Sequence, residues 1–264
     1  AGQKVLVSMA PAGRGLSAEV TLPQGTVDNH GQLIADVGSI VAQAQFVNQQ
    51  GLIQANSVRD VNGTIELLAS DAVNLGAGSV IAAQGDSHGS SAGGTVVIKS
   101  EKNFSDQAGS TIKIAGGAQG GNGGQVEISA SQMGAIQSAI NGRAQSGYVG
   151  GTLNIDPYDL SLDYAYVSSL NNQISGGLSQ ISLQADHNIE LSAAWNLADL
   201  TSAGTLSLTA GNSIILDDLS AIIAGKGWNV GLTAGAALPV GTSPVADMDG
   251  IYLNGNAYIQ TKDG

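Results

Sequence analysis

The sequence LSLTAG at residues 206–211 returns 24 residues later as VGLTAG at residues 230–235. Both contain two aliphatic residues at positions i and i+2. Such pairs begin at Ile65, Val96, Val126, Leu153, Ile181, Leu206, Val230 and Ile251, in steps of 31, 30, 27, 28, 25, 24 and 21 residues. Repetition at such a period indicates one supersecondary unit stacked on copies of itself.

The spacing inside each copy indicates the kind of unit. Aliphatic residues at i and i+2 predict an extended strand with one buried face. No segment keeps a helical apolar spacing over the length of a globular helix, and the 38 glycines, with many Asn, Asp and Ser residues, supply turns. The sequence therefore predicts an all-β chain without helices.

The similarity between copies favours a stacked coil over a β-sandwich, whose strands need not resemble one another. One copy is too short to bury a face alone, whereas coils stacked at about 4.8 Å would form continuous aliphatic ladders. We therefore predict a parallel β-helix, or solenoid, with roughly 20–31 residues per coil. At roughly 24 residues per coil, the 264 residues would make about eleven coils.

Coil length divides the chain into three predicted regions. Residues 1–62 form short coils, because VDNHG at 27–31 aligns with VNQQG at 47–51. Residues 63–150 carry Gly-rich tracts at 85–94 and 116–124, which predict loops that project from a corner. Residues 151–264 contain an irregular stretch near 156–178, where the coil cross-section is expected to change, and regular coils after it.

The composition limits the possible functions. With 21 acidic and 9 basic residues the net charge is −12, and no basic cluster is present, so nucleic-acid binding is not expected. The absence of Cys fits a reducing cytosol or an exported bacterial protein. Because the chain begins at Ala1 without a leader, we expect a mature product or a piece of a longer protein.

Several phrases follow one another in a recognisable order. They are VEIS at 126–129, GGTLNIDP at 150–157, SLNNQISGG at 169–177, IELSAAW at 189–195 and LSLTAG at 206–211. This succession resembles filamentous-haemagglutinin-like exoproteins, which are large proteins of Gram-negative bacteria exported by two-partner secretion, many of them adhesins. The resemblance covers roughly residues 20–260. It implies a right-handed parallel β-helical shaft, secretion or display at the outer cell surface, and an outer-membrane export partner.

The chain departs from this family in one respect. It contains no Asn-Pro-Asn-Gly-type phrase of the amino-terminal secretion domain, so recognition by the export partner is assigned to no residue here. The expected function is that of a rigid shaft in a filamentous adhesin-like protein, with host or neighbouring-cell glycans or surface proteins as partners. A polysaccharide-processing β-helix enzyme is one alternative, and a fibre subunit that associates end to end is another.

Three tyrosines are the candidates for ligand binding. Tyr158, Tyr164 and Tyr166 lie in the irregular stretch, and Tyr164 and Tyr166 would share a face if it were extended. Exposed rings often bind carbohydrate, but these rings could equally cover the shaft where the coil changes shape. No catalytic, cofactor-binding or metal-binding residue is predicted, and no cofactor is expected.

Other reactive side chains are interpreted as structural. Asp217 and Asp218 are adjacent, and in a strand they would point to opposite faces, so a catalytic pair is not expected. Asp247 and Asp249 could face one way, but they lack the further oxygen ligands of a calcium loop. Isolated histidines are expected in turns, and tryptophans at packed corners: His30, His88, His187, Trp195 and Trp228.

Overall fold

The computed structural model describes residues 5–9, 16–20, 24–236 and 249–262, the first two ranges by their backbone alone. The elements of the first half are the strands β1 (Val5–Met9), β2 (Leu16–Val20), β3 (Thr26–Asn29), β4 (Gln32–Ile34), β5 (Ser39–Gln49), β6 (Leu52–Gln54), β7 (Thr64–Leu75), β8 (Val80–Ala82), β9 (Thr95–Asp106), β10 (Thr111–Lys113), β11 (Gln125–Gln132) and β12 (Ala139–Asn141).

The second half contains one α-helix among further strands. In chain order these are β13 (Gly151–Asp156), β14 (Leu160–Leu162), α1 (Tyr164–Ser175), β15 (Leu178–Ala185), β16 (Ile189–Leu191), β17 (Ala194–Asn196), a 3₁₀ turn (Leu197–Asp199), β18 (Gly204–Ala210), β19 (Ile214–Leu216), β20 (Ala221–Ala224), β21 (Trp228–Thr233), β22 (Ile251–Leu253) and β23 (Tyr258–Thr261).

The strands stack into a parallel β-solenoid. One sheet of nine strands runs through the stack in the order β21-β18-β15-β13-β11-β9-β7-β5-β3. A five-stranded sheet, β12-β10-β8-β6-β4, forms a second wall of the first half, and the sheets β14-β16-β19-β22 and β17-β20-β23 form walls of the second half. The strands β1 and β2 form a separate antiparallel pair. The predicted all-β solenoid is confirmed.

The coils are fewer than expected. The solenoid has about 7 turns, with coils about 27 residues apart, so the expectation of about eleven coils was wrong. The repeat at residues 206 and 230 comes from the shorter coils. Longer strands and Gly-rich tracts lengthen the coils of the first half, where Ile65 pairs with Val96, which follows it by 31 residues.

The strand register agrees with the repeat up to its last copy. Six successive pairings in the nine-stranded sheet join Ile65 to Val96, Val96 to Val126, Val126 to Leu153, Leu153 to Ile181, Ile181 to Leu206, and Leu206 to Val230. The eighth position, Ile251, was wrongly aligned, because it pairs with Ile214 in the four-stranded sheet. Both sheets bury aliphatic residues at i and i+2, so this pattern alone cannot distinguish them.

Aliphatic ladders form the interior. Val126 and Ile128 of β11 are fully buried, as are their partners Leu153 and Ile155 of β13. Burial of each such side chain contributes roughly 1.5–3 kcal/mol relative to exposure. The inward residues recur at the same place in every coil, so the ladders form one core along the stack.

The helix α1 was not predicted, and the expectation of a helix-free chain was wrong. Asp163 caps its amino terminus, because the carboxylate accepts a hydrogen bond of 2.8 Å from the backbone N–H of Tyr166. Val167, Leu170 and Ile174 are buried on one side of the helix. These three residues keep the i, i+3, i+7 spacing, but polar residues elsewhere in the segment make the helical pattern short.

The helix closes the edge of the five-stranded sheet. The Gln173 side chain donates through Nε2 to the carbonyl oxygen of Ser138 at 2.9 Å, and its Oε1 accepts from the N–H of Ile140 at 2.9 Å. The Gln173 side-chain amide thereby makes hydrogen bonds to β12 that a neighbouring strand would otherwise make. The second wall continues in a different sheet from β14 onward. The expected change of coil cross-section near residues 156–178 remains a prediction. The three predicted region boundaries remain predictions.

The Gly-rich tracts at 85–94 and 116–124 pack on each other, and the expectation that they project from a corner stays a prediction. Ser90 forms a parallel bridge with Gly120, and the N–H of Gly117 donates to the carbonyl oxygen of Ser91 at 2.8 Å. A Cβ on Gly121 would overlap with that same carbonyl oxygen. Close backbone contact between coils therefore explains the glycines, while Ser87 and His88 form an exposed tip.

Candidate functional site: a lateral groove

A groove of about 350 Å³ lies on the side of the solenoid. It crosses several coils, because its lining comes from β7, β9 and β11, from the end of β13 and from the turn after β15. Apolar side chains of four residues contribute to its surface, namely Leu68, Ala69, Ala130 and Pro157. The register of β9 and β11 shifts between Ala130 and Gln132, so the groove lies beside a bend in the wall.

Tyr158 stands at this groove and is half exposed. Its ring stacks on the imidazole of His187, with the ring centroids 5.5 Å apart and the planes 18° from parallel. His187 Nδ1 lies 2.8 Å from Asp159 Oδ1, and that oxygen also accepts from the N–H of Asn188 at 3.0 Å. Contacts between two successive coils therefore hold the tyrosine ring in place.

Carboxylates dominate the charge of the groove. Glu101, Asp156 and Asp186 line it together with a single cation, Lys99. The Lys99 ammonium lies 2.7 Å from the carboxylate of Glu127, so much of its charge is already paired. The groove is therefore negative overall, like the chain.

Asp156 is the most perturbed of these carboxylates. Burial raises its pKa, and the nearby charges of Asp186 and Glu127 raise it further, while Lys99 opposes them. Asp186 is exposed. The groove thus places a carboxyl group with a raised pKa near a second, exposed carboxyl group.

A serine hydroxyl in the groove lacks a protein partner. Ser129 Oγ is buried and has no hydrogen-bond partner within the described part of the chain. The hydroxyls of Ser100 and Ser131 donate to backbone carbonyl oxygens, at 3.0 Å and 2.6 Å. Among these three serines, Ser129 is therefore the one with unused hydrogen-bonding capacity.

The structure separates the three candidate tyrosines. Tyr164 and Tyr166 do not share a face, because they lie in α1 and not in an extended stretch. Tyr164 is 80% exposed, whereas Tyr166 is buried and its pKa is raised by burial. Tyr158 alone among the three lies in the lateral groove.

The adjacent aspartates behave as expected of a turn. Asp218 Oδ1 accepts a hydrogen bond of 2.8 Å from the N–H of Asn256. Asp217 instead interacts with Glu190 of the preceding coil. The pKa of Glu190 is raised by burial first, and then by the charge and hydrogen bond of Asp217. Stacking, and not adjacency in sequence, creates this carboxylate pair.

The remaining candidates have structural surroundings. Trp195 is fully buried and donates to Asn171 Oδ1 at 2.9 Å, and Trp228 is buried and donates to the carbonyl oxygen of Ser202 at 2.7 Å. Asp247 lies outside the described residues. Within residues 24–236 and 249–262, no group of three or more His, Asp or Glu side chains is placed to hold a metal ion. No helix in the same ranges is long and apolar enough to cross a membrane.

Comparison with known proteins identifies no relative. No family model matches this chain, and no curated protein or solved structure matches it. The solenoid is consistent with the β-helical shaft that the resemblance implies, but no match names that family.

The carboxylates of the groove were not predicted from the sequence. Asp156 and Asp186 are 30 positions apart, and neither belongs to a recognisable motif. The turns after β13 and β15 lie beside each other, because the N–H of His187 donates to the carbonyl oxygen of Tyr158 at 2.8 Å. An alignment of successive coils could have indicated this. Aligning the turns as well as the strands would have placed Tyr158 beside His187, and Asp156 close to Asp186.

Proposed function

We propose that this chain is a segment of a secreted or cell-surface filamentous protein and acts as a rigid shaft in attachment. The observation that carries the proposal is the nine-stranded parallel sheet, which runs from β3 to β21 along the stack. A shaft must keep its length and direction, and an unbroken sheet with a continuous core satisfies this requirement. The resemblance to filamentous-haemagglutinin-like exoproteins supports the location and the outer-membrane export partner.

Polar ladders on the outer surface support the same proposal. Asn48 donates to Asp28 at 2.6 Å, Asn74 donates to Asn48 at 2.9 Å, and Ser105 donates to Asn74 at 2.6 Å. Each bond links one coil to the next, so these side chains add to the backbone bonds between coils. A stiff shaft can present weak binding sites in a fixed arrangement, and several such sites together give firm attachment.

Attachment is tested by coating beads with the purified chain and measuring the force needed to detach them from bacterial and host cells. We expect saturable attachment that soluble chain competes away. Beads coated with the heat-unfolded chain control for nonspecific adhesion of an acidic polymer. Equal attachment by folded and unfolded chain, or no attachment to any cell type, would contradict the proposal.

The lateral groove also favours a second candidate function, polysaccharide processing. The observation is that Glu101, Asp156 and Asp186 line one groove, and that the pKa of Asp156 is raised. A carboxyl group with a raised pKa can act as the general acid of glycoside cleavage when a second carboxyl group lies nearby. Reducing-end assays on a polysaccharide panel test this function, with Asp156→Asn as the variant that should lose activity.

A further inference from the structure

We infer that the lateral groove at Tyr158 binds a saccharide that carries a free, protonated amino group. This inference rests on the proposed function in attachment and names the class of ligand. It follows from three properties of the groove: its charge, its aromatic ring and its hydrogen-bond acceptors.

The charge of the groove selects a cation. Asp156 and Asp186 both line the groove; burial raises the pKa of Asp156, and the charge of Asp186 raises it further. Lys99, the cation in the lining, is paired with Glu127 at 2.7 Å. An ammonium group placed between the two aspartates would relieve their repulsion, whereas a sulfated or carboxylated sugar would add to it.

The aromatic ring suits the body of a sugar that carries such a cation. Tyr158 is 50% exposed, and its stacking on His187 restricts its motion before any ligand binds. A ring held in advance loses little conformational entropy on binding. Its face attracts a cation, and its apolar surface covers the C–H groups of a sugar ring.

The hydrogen-bonding groups favour a hydroxyl-rich ligand over a simple amine. The carboxylates of Glu101 and Asp186 line the groove and are acceptors for sugar hydroxyls. The volume of about 350 Å³ is at the lower end of small-molecule sites, so the groove suits one or two sugar units of a longer chain.

Binding of a glucosamine tetramer to the intact chain tests the inference by calorimetry at mildly acidic pH. The N-acetylglucosamine tetramer is the matched ligand, because acetylation removes the charge and keeps the sugar ring. We expect the glucosamine tetramer to bind about tenfold more tightly or better. A heparin tetramer should not bind. Equal affinity for both glucosamine forms, or tighter binding of heparin, would overturn the inference.

Two substitutions in the groove locate the site. Tyr158→Ala and Asp186→Asn should each weaken binding of the glucosamine tetramer about fivefold or more. Tyr164→Ala and Asp60→Asn remove the same groups from exposed positions outside the groove and should leave the affinity unchanged. Asp186 is exposed, so its substitution tests the site even if Tyr158→Ala fails to fold. Unchanged affinity in Asp186→Asn would place the ligand elsewhere.

A peptide of four lysines separates a sugar ligand from a basic protein segment. If it competes as well as the glucosamine tetramer, the saccharide part of the inference is wrong. The bead experiment keeps this inference distinct from the proposed function. Beads that attach equally with native chain and with Asp186→Asn would support attachment and overturn the groove as its binding site, whereas no attachment by either would contradict attachment itself.

Discussion

Asp156 shows how stacking alters a single side chain. Partial burial raises the pKa of Asp156 in the folded chain, and the charge of Asp186 from the coil that follows raises it further. The folded state therefore binds a proton more readily than the unfolded state, and stability falls as the pH rises through the raised pKa. The contribution of Asp156 to the stability of the folded chain is therefore fully present only below the ordinary pKa of aspartate.

We therefore expect Asp156→Asn to stabilise the chain at neutral pH. The gain should be small, about 0.5 kcal/mol, because the group is only partly buried and water screens the repulsion. It should disappear in acid below the ordinary pKa of aspartate. Asp71→Asn is the control and should instead destabilise the chain at neutral pH. Lys102 at 2.6 Å and a hydrogen bond from Gln45 lower the pKa of Asp71, so its carboxylate stabilises the folded state. Urea unfolding at neutral and acid pH measures both, and a stability loss in Asp156→Asn at neutral pH would contradict the expectation.

A glycine provides a second test at the residue scale. Gly121 has a φ of +120°, and a Cβ there would overlap with the carbonyl oxygen of Ser91. Gly121→Ala should therefore destabilise the chain by about 1–3 kcal/mol. Gly134→Ala is the matched control, because nothing lies within 4 Å of its Cβ position. Thermal unfolding distinguishes the two, and similar effects would show that contact between the Gly-rich tracts is unimportant.

The elements differ in how well the sequence predicts them. The strands of the nine-stranded sheet were predictable because alternation and repetition agree, and Val27 pairs with Val47 as the alignment indicated. The helix α1 was not predictable in this way, because its buried face includes the polar residue Gln173. That residue is buried for its hydrogen bonds to β12, which depend on a partner 35 residues away. Local apolar spacing does not report such a partner.

The role of Gln173 leads to a prediction for the element it closes. Gln173→Ala should leave the carbonyl of Ser138 and the N–H of Ile140 without these partners, at a cost of about 2–4 kcal/mol. Asn172→Ala removes an exposed amide from the same helix and should cost under about 1 kcal/mol. Urea unfolding gives both values, and hydrogen exchange should speed up at the Ile140 amide in the first variant alone. Equal costs would show that the amide does not cap the sheet.

The groove depends on relations between coils, and for this reason the sequence predicted it only in part. Tyr158 was a candidate from its residue type and its place in an irregular stretch. Asp156 and Asp186 belong to different coils, and their proximity follows from the register of the turns after β13 and β15. The carboxylates that are neighbours in the sequence are Asp217 and Asp218. In the structure they do not act together, because Asp217 interacts with Glu190 and Asp218 accepts a hydrogen bond from Asn256.

At the scale of the whole molecule, the coils should share stability mainly with their neighbours. Ile128→Ala in the middle of the stack should cost about 2–5 kcal/mol, because Ile128 is fully buried. Hydrogen exchange should accelerate most in β9, β11 and β13, and least near β3 and β21. Val97→Ala, on the outer side of β9, is the control and should have little effect. Uniform acceleration along the chain would indicate a single cooperative unit instead.

The helix junction also determines how the rod should respond to tension. A pull along the axis loads the hydrogen bonds between successive coils. At most levels two or more sheets carry that load side by side, but between β12 and β14 the second wall changes sheets. There the nine-stranded sheet is supplemented by the side-chain bonds of Gln173 and a bond of 3.1 Å from the Gly142 N–H to the Gly176 carbonyl. Under tension, the hydrogen bonds between coils should therefore break first at this level. The segment around α1 should unfold and extend before the coils of either half separate.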